Sequence, residues 1–305
     1  MTSTTPTMPL GQTSIPAVGF GTYLIEPADA AATVAEAILA GYRHIDTAAG
    51  YFNEAEVGQG IRDGIARAGL DRADIFVTTK LWPGNAAWGD APKGYDETRA
   101  AFETSRAALG LDVVDLYLIH APSGGAERVA EWRALTDLKA EGLARAVGVS
   151  NFTEAHIEEL RAAGLPMPDA NQIELHPWSQ KPDLVAYLMA NDIRPIAYSS
   201  LVPLSTWRSA PGQDSAKSDD MRDAGATAIF REMAARYGVT EAQLLLRWGV
   251  QSGFPVLPKS MNPERMRANL DLFGFEISAA DMDRLATLDR GDGVAWSIGD
   301  PRDLG

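Results

Sequence analysis

At 305 residues the chain exceeds the usual single-domain size, yet α/β barrels of about 250 residues or more fold as one unit. A hydrophobic content of 46% with 22% charged residues excludes a disordered chain, and a net charge of -14 with a pI near 4.7 argues against nucleic acid or anionic lipid as a partner. With no cysteine, disulfides, thiolate metal sites and cysteine nucleophiles are excluded.

"MTSTTPTMPL" lacks the basic start and apolar run of a signal peptide, and no stretch approaches the roughly 20 apolar residues of a membrane helix, so a soluble, cytoplasmic protein is expected. "MPLGQTSIPAVGF" breaks into short apolar pieces around Gly11-Gln12, which predicts a hairpin ahead of a first strand at about residues 17 to 20. Helix and strand signals then alternate. "DAAATVAEAILAGY" reads as a helix between Asp29 and Gly41 and leads to the strand "RHID". Helix "NEAEVGQGIRDGIARAGL" leads to the β-branched run "DIFVTTKLW", and helix "YDETRAAFETSRAALGL" leads to "VVDLYLIH". Three more such pairs follow: "RVAEWRALTDLKAEG" with "ARAVGVS", "TEAHIEELRAAG" with "DANQIEL", and "PDLVAYLMAND" with "IRPIAYS". After helices around residues 224 to 236 and 240 to 251, "FPVLPKS" is the last predicted strand.

Eight strands separated by helices, with no Pro- or Ser-rich linker between them, predict a (β/α)8 barrel with an N-terminal hairpin, one domain over residues 1–305. An open doubly wound sheet accounts less well for eight strands with polar residues ending so many of them. Long loops at 82–93 and 201–223 each follow a strand end and would overhang the ligand face, and a tail follows residue 289 with no clear element.

Three predicted strands end in an ionisable residue, Asp46, Lys80 and His120, and Tyr51 follows the first of them. At the carboxyl ends of parallel strands these groups face a common ligand position. Asp46 and Lys80 on neighbouring strands suit an ion pair, whether structural or functional. A phenol with an ordinary pKa near 10 exchanges protons poorly at neutral pH, so Lys80 is expected to lower that of Tyr51 while Asp46 holds the ammonium in place. His120 is placed to orient a carbonyl oxygen. Such a set can protonate an alkoxide, and in a chain without cysteine or an evident flavin motif a nicotinamide is the natural hydride source. The Rossmann fingerprint is missing, since "GFGTYL" lacks the third glycine and an immediate helix. "VLPKSMNPER" offers another anchor: Lys259 and Ser260 follow the last strand, and Arg265 lies in the first turn of a helix opened by Asn262-Pro263, a composition suited to phosphate.

Taken in order, "GFGTY", "DTAAGYFNEAEVG", "TTKLW", "DLYLIHAP", "GVSNF", "NQIELHP", "AYS" and "LPKSMNPER" resemble the motifs of the aldo-keto reductases from about residue 7 to about residue 290. The resemblance implies a catalytic tetrad of Asp46, Tyr51, Lys80 and His120, with NADPH extended across the barrel mouth and a small aldehyde or ketone as partner. It implies carboxamide contacts from Ser150, Asn151 and Gln172, and stacking by Tyr198. Gly21, Thr22, Tyr23 and Asp46 fall beside the cofactor, together with Ser199 and Leu201 after the stacking tyrosine. Lys259, Ser260 and Arg265 match the binders of the adenosine 2'-phosphate, and Asn269 an adenine contact. Three positions depart from the pattern: Ala268 replaces a common Glu or Gln, Ser200 a common Pro, and Ala121 a frequent aromatic after the histidine. Tyr23, Trp82, Trp88, Trp207 and Trp296, with His120 and Ala121, are the candidate substrate walls. A monomer is expected, and no resident metal.

Two other readings use the same residues. His44 with Asp46, and Glu174 with His176, have spacings that could ligate a metal in a barrel hydrolase, although Lys80 would set a positive charge at the ion's position. A cofactor-sensing subunit without catalysis would also keep the fold.

Overall fold

The computed structural model describes residues 5–204, 227–291 and Arg302. Trp207, Trp296, most of the loop at 201–223, the start of the helix expected from residue 224 and nearly all of the tail lie outside the described residues. The chain opens with the predicted hairpin, β1 (Thr7–Leu10) and β2 (Thr13–Pro16), paired antiparallel with Leu10 opposite Thr13. Gly11 turns it with φ of 52°, and its bare Cα lies against the Asp169 carboxylate, where no side chain fits.

From there strand and helix alternate: β3 (Phe20–Gly21), α1 (Pro27–Ala40), β4 (His44–Asp46), α2 (Glu54–Ala68), β5 (Phe76–Leu81), α3 (Tyr95–Leu109), β6 (Val114–Ile119) and α4 (Arg128–Ala140). The series continues through β7 (Ala144–Ser150), α5 (Glu154–Ala162), β8 (Ala170–Glu174), α6 (Pro182–Ala190) and β9 (Arg194–Tyr198). Strands β3 to β9 form one parallel sheet in sequence order. The eighth stave closes it. Val256 bridges both Val18 and Ala197 in parallel sense; its N–H donates to Ala17 O (3.0 Å), and its carbonyl accepts from Gly19 N (2.8 Å). The expected strand over "FPVLPKS" is thereby corrected to a single ladder residue, because Pro255 and Pro258 on either side have no N–H to give. The fold is a closed (β/α)8 barrel.

Local chemistry explains the helix ends. Gly41, Gly69 and Gly110 terminate α1, α2 and α3 in the left-handed conformation, and Thr153 caps α5 by accepting from His156 N. A helix over Ala279–Ala286 was not expected; Ser278 caps it by accepting from Asp281 N, a signal that "SAAD" carried in the sequence.

Apolar residues separate into two layers. On β6, Leu116 and Leu118 point into the barrel with Ala146, Ala170, Ile196 and Leu257, and Leu10 and Ile15 of the hairpin join this interior cluster. Tyr117 and Ile119 of the same strand point outward into the core between sheet and helices. Buried aspartates pin neighbouring strand starts: Asp115 accepts from Val77 N and pairs with Arg72 and Arg145, and Asp169 accepts from Val147 N and pairs with Lys139. The barrel interior is thus filled by side chains, as a packed core rather than a pore.

Among the described residues, one buried carboxyl has no hydrogen-bond partner. Glu131, in the first turn of α4, is fully inaccessible, neither oxygen is hydrogen-bonded, and both press against Gly124. Burial raises its pKa from 4.5 to about 8, against the pull of Arg128 and Lys93 and with a small push from Glu127. The folded state therefore binds a proton that the unfolded chain releases, and stability is lost as pH rises from about 4.5 through 8. The limit is about 5 kcal/mol. In thermal melts between pH 5 and pH 9, Glu131→Gln is expected to lose about 5–10 °C less than the parent chain; parallel losses in the two proteins would refute the assignment.

Candidate active site

Asp46 ends β4, and Lys80 lies one residue before the end of β5. Both point into the barrel above a layer in which His44 Nε2 and Thr78 Oγ1 are 2.9 Å apart. Lys80 Nζ donates to Asp46 Oδ1 (2.6 Å), to the Thr47 carbonyl (2.8 Å) and to Tyr51 Oη (3.3 Å). The short helical turn Ala49–Tyr51 carries the tyrosine over the ammonium, whose nitrogen lies 4.9 Å from the ring centroid. His120, immediately after β6, packs edge to face on the Tyr51 ring at 5.5 Å. The three strand-end residues and Tyr51 thus converge.

Electrostatics at the site differ from expectation in one respect. Burial raises the pKa of Tyr51, and this outweighs the lowering by Lys80. The expected acidified phenol is therefore corrected: the ammonium moderates a burial penalty that sequence could not measure. Burial also works against the charge of Lys80, but the charges of Asp46 and Tyr51 hold its pKa above the ordinary value. Burial, with Lys80 second, lowers His120 to about 3, so its imidazole is neutral at pH 7. Its Nδ1 is buried without a partner, and Nε2 is the nitrogen left to meet an oxygen.

Several other residues singled out in the sequence surround this group. Gln172 on β8 donates to Asp46 Oδ2 (2.7 Å), so each carboxylate oxygen has its own donor. Ser150 Oγ donates to Gln172 O (2.8 Å), Asn151 donates to His120 O (3.0 Å), and Tyr198 donates to Asn151 Oδ1 (2.7 Å). Asn151 and Ser199 both hold left-handed backbone, with φ of 63° and 57°, a strained state for non-glycine residues that clusters at binding sites. Ser200 is buried and Leu201 half-buried beyond them. Gly21 ends β3 and Thr22 follows it, and Thr22 N and Oγ1 each donate to Asp46 O at 3.0 Å. Tyr23 packs on Tyr51 at 5.0 Å, and Ala121 is buried next to His120.

The basic segment is arranged differently from the expectation. Asn262 Oδ1 accepts from Glu264 N and Arg265 N, so the helix Pro263–Leu270 caps its own amides. What remains for an anion is the exposed side chains of Lys259 and Arg265, with Arg265 Nε 3.4 Å from Ser260 Oγ. Neither cation makes an ion pair among the described residues, which is notable in a chain of this negative charge and fits a phosphate group. Asn269 is buried beside the Tyr42 hydroxyl.

Residues that the motifs did not single out complete the site. Asn53 stands at the helix start where it would ordinarily cap, yet its amide donates to Thr22 O (3.1 Å) and Ile25 O (2.9 Å) and accepts from Thr47 Oγ1 (3.2 Å). It thereby ties the Tyr23 loop to the Tyr51 loop. Asp90 accepts from Trp82 Nε1 (2.6 Å) and fixes that indole edge-on to His120. The metal alternative finds little support: His44 is engaged with Thr78 and held neutral, Glu174 and His176 pair with each other at 2.8 Å, and no cluster of three candidate ligands occurs among the described residues.

Similarity to known proteins agrees with this geometry. A family model described as "Aldo/keto reductase family" matches residues 17–290. "Uncharacterized oxidoreductase YtbE" of Bacillus subtilis is 41% identical over 90% of this chain and 89% of its own. The morphine 6-dehydrogenase of Pseudomonas putida is 38% identical over 95% and 92%. Among solved structures, a Bombyx mori aldo-keto reductase in complex with NADP superposes with a TM-score of 0.82 at 33% identity, covering 93% of each chain. Barrel, strand-end residues and relatives converge on one assignment: this chain belongs to the aldo/keto reductase family.

Proposed function

We propose that the protein reduces an aldehyde or ketone to an alcohol with NADPH, and runs the reverse oxidation, using Tyr51 as the proton donor. The observation that carries the reading is Tyr51 Oη 3.3 Å from an ammonium that is itself 2.6 Å from Asp46, with His120 packed against the same ring. A nicotinamide cofactor, when bound, would supply the hydride for the carbonyl carbon. On the protein side, His120 Nε2 as a neutral donor orients the carbonyl oxygen, and Tyr51 gives its proton to that oxygen as negative charge develops. Lys80 stabilises the phenolate left behind; Asp46, held by Lys80 and Gln172, keeps the ammonium in place. Hydride and proton together convert C=O to CH–OH, and the proton returns to Tyr51 from solvent.

For the cofactor, the reading assigns Ser150, Asn151 and Gln172 to a carboxamide and Tyr198 to stacking. Gly21, Thr22, Tyr23 and Asp46 would lie beside the cofactor, as would Ser199 and Leu201 after the stacking tyrosine. Lys259 and Arg265, which make no ion pair among the described residues, suit a 2'-phosphate together with Ser260, and Asn269 the adenine. The same reading takes the chain as one domain acting as a monomer on a small carbonyl compound.

Optical assay of NADPH and NADH oxidation against aldehydes, ketones and α-keto compounds tests the proposal; no oxidation across that panel would count against it. Removing charge-assisted contacts at about 1.5–3 kcal/mol apiece, Lys259→Ala and Arg265→Ala are each expected to raise KM for NADPH about tenfold or more. KM for NADH should hardly move. Equal effects on both cofactors would remove these residues from the 2'-phosphate site.

A further inference from the structure

The loop after β5 is built around two indoles. Trp82 stands edge-on to His120, with 6.1 Å between ring centroids and 88° between planes. Trp88 lies on Trp82 in an offset stack, at 5.8 Å and 13°. The loop is internally tied. Asn85 and Asp90 exchange backbone hydrogen bonds at 2.9 and 3.1 Å, Asn85 Oδ1 accepts from Ala87 N at 3.0 Å, and Gly89 reverses the chain with φ of 78°. Ser123 Oγ donates to Gly84 O at 2.6 Å and anchors the loop to the turn that follows His120. Asp90 closes the assembly by accepting from Trp82 Nε1 at 2.6 Å.

Such a loop could have buried its second indole, yet Trp88 is 57% exposed. An aromatic surface therefore runs from His120 across Trp82 to solvent, held rigid by polar contacts behind it. Rigid aromatic faces recognise flat apolar groups at small entropic cost.

The geometry points to a recognition platform: Trp82 and Trp88 receive the planar, apolar arm of the carbonyl substrate, and Asp90 is the positioning residue that fixes the platform relative to His120. The inference rests on the carbonyl-reductase reading and narrows its substrate class to aldehydes and ketones carrying an aryl arm at least two rings long. Short aliphatic carbonyls reach His120 without touching the outer indole. Trp88 thus sets selectivity, and Asp90 acts through Trp82.

The test uses full-length enzyme with NADPH and compares 4-biphenylcarboxaldehyde with propanal. In the parent chain kcat/KM favours the biaryl aldehyde. Trp88→Ala is expected to lower the biaryl-to-propanal ratio about tenfold, mainly through KM. Asp90→Ala lowers it similarly, while Asp90→Asn, which keeps an acceptor for Trp82 Nε1, restores it to within about twofold of the parent. An unmoved ratio in Trp88→Ala, or equal losses on both aldehydes, overturns the platform. Calorimetric binding of biphenyl-4-methanol to the enzyme–NADP complex separates the two readings. A parent chain that reduces neither aldehyde defeats the reductase assignment, whereas tenfold weaker alcohol binding in Trp88→Ala still supports the platform and unchanged binding defeats it.

Discussion

Tyr51→Phe is expected to lower kcat for carbonyl reduction by about a thousandfold, within the range attributed to a positioned general acid, and to leave NADPH affinity within about twofold. The substitution removes one atom and keeps the ring, so the packing of Tyr23 at 5.0 Å and His120 at 5.5 Å survives. Lys80 keeps its bonds to Asp46 and Thr47. What disappears is the proton aimed at the substrate oxygen. The pH profile supplies a second check. Because burial raises the Tyr51 pKa above the ordinary phenol value, the phenol stays protonated through neutrality, and kcat/KM for reduction should stay level across the neutral range. Oxidation of an alcohol needs the phenolate, so its rate should climb with pH over the same range. Single-turnover traces of the Phe variant that match the parent would sink the acid role, and a reduction profile already falling at pH 8 would contradict the raised pKa.

That same tyrosine marks where sequence reasoning stops. Its position was legible, because strand ends bearing Asp46, Lys80 and His120 place three polar groups at one mouth and Tyr51 follows the first of them by five residues, and the distances observed bring the four together. Its charge balance was not. Lys80 is visible in the sequence as a neighbour, but the desolvation that outweighs it depends on how closely Tyr23, His120 and the Tyr51 loop pack, which no spacing encodes. The eighth strand shows the same limit from the backbone side. "FPVLPKS" holds Phe254, Val256 and Leu257 close together, and the alternation of strands and helices required a last stave, yet its two prolines reduce the ladder to Val256. Asn53 was hidden for a different reason: at the start of α2 it looks like an ordinary cap, and only the folded chain shows that its amide is spent on Thr22, Ile25 and Thr47. Trp88 was visible as an aromatic in a long loop, while its stacking on Trp82 and the part played by Asp90 arise only in the folded chain.

Lys80→Met is expected to cost both activity and stability, and the two losses can be separated. The ammonium is fully buried, and Asp46 is only 3% exposed. Deleting one member of such a pair leaves the other charge uncompensated, at a cost of about 3–5 kcal/mol. Asp46 would keep its bond from Gln172, which places the loss toward the lower end of that range. Activity should fall by at least a hundredfold, because Tyr51 would have to release its proton with no cation beside the nascent phenolate, and the burial that already raises its pKa would act unopposed by Lys80. The double variant Asp46→Asn/Lys80→Met distinguishes the causes. It removes both charges, so chemical denaturation at pH 7 should show most of the lost stability regained. Turnover should stay low, since nothing restores the cation. If the double variant recovered turnover along with stability, the single variant's defect would be one of folding and Lys80 would have no part in the proton transfer. If the single variant melted like the parent chain, the buried pair would not be the strongly coupled unit that the 2.6 Å contact indicates.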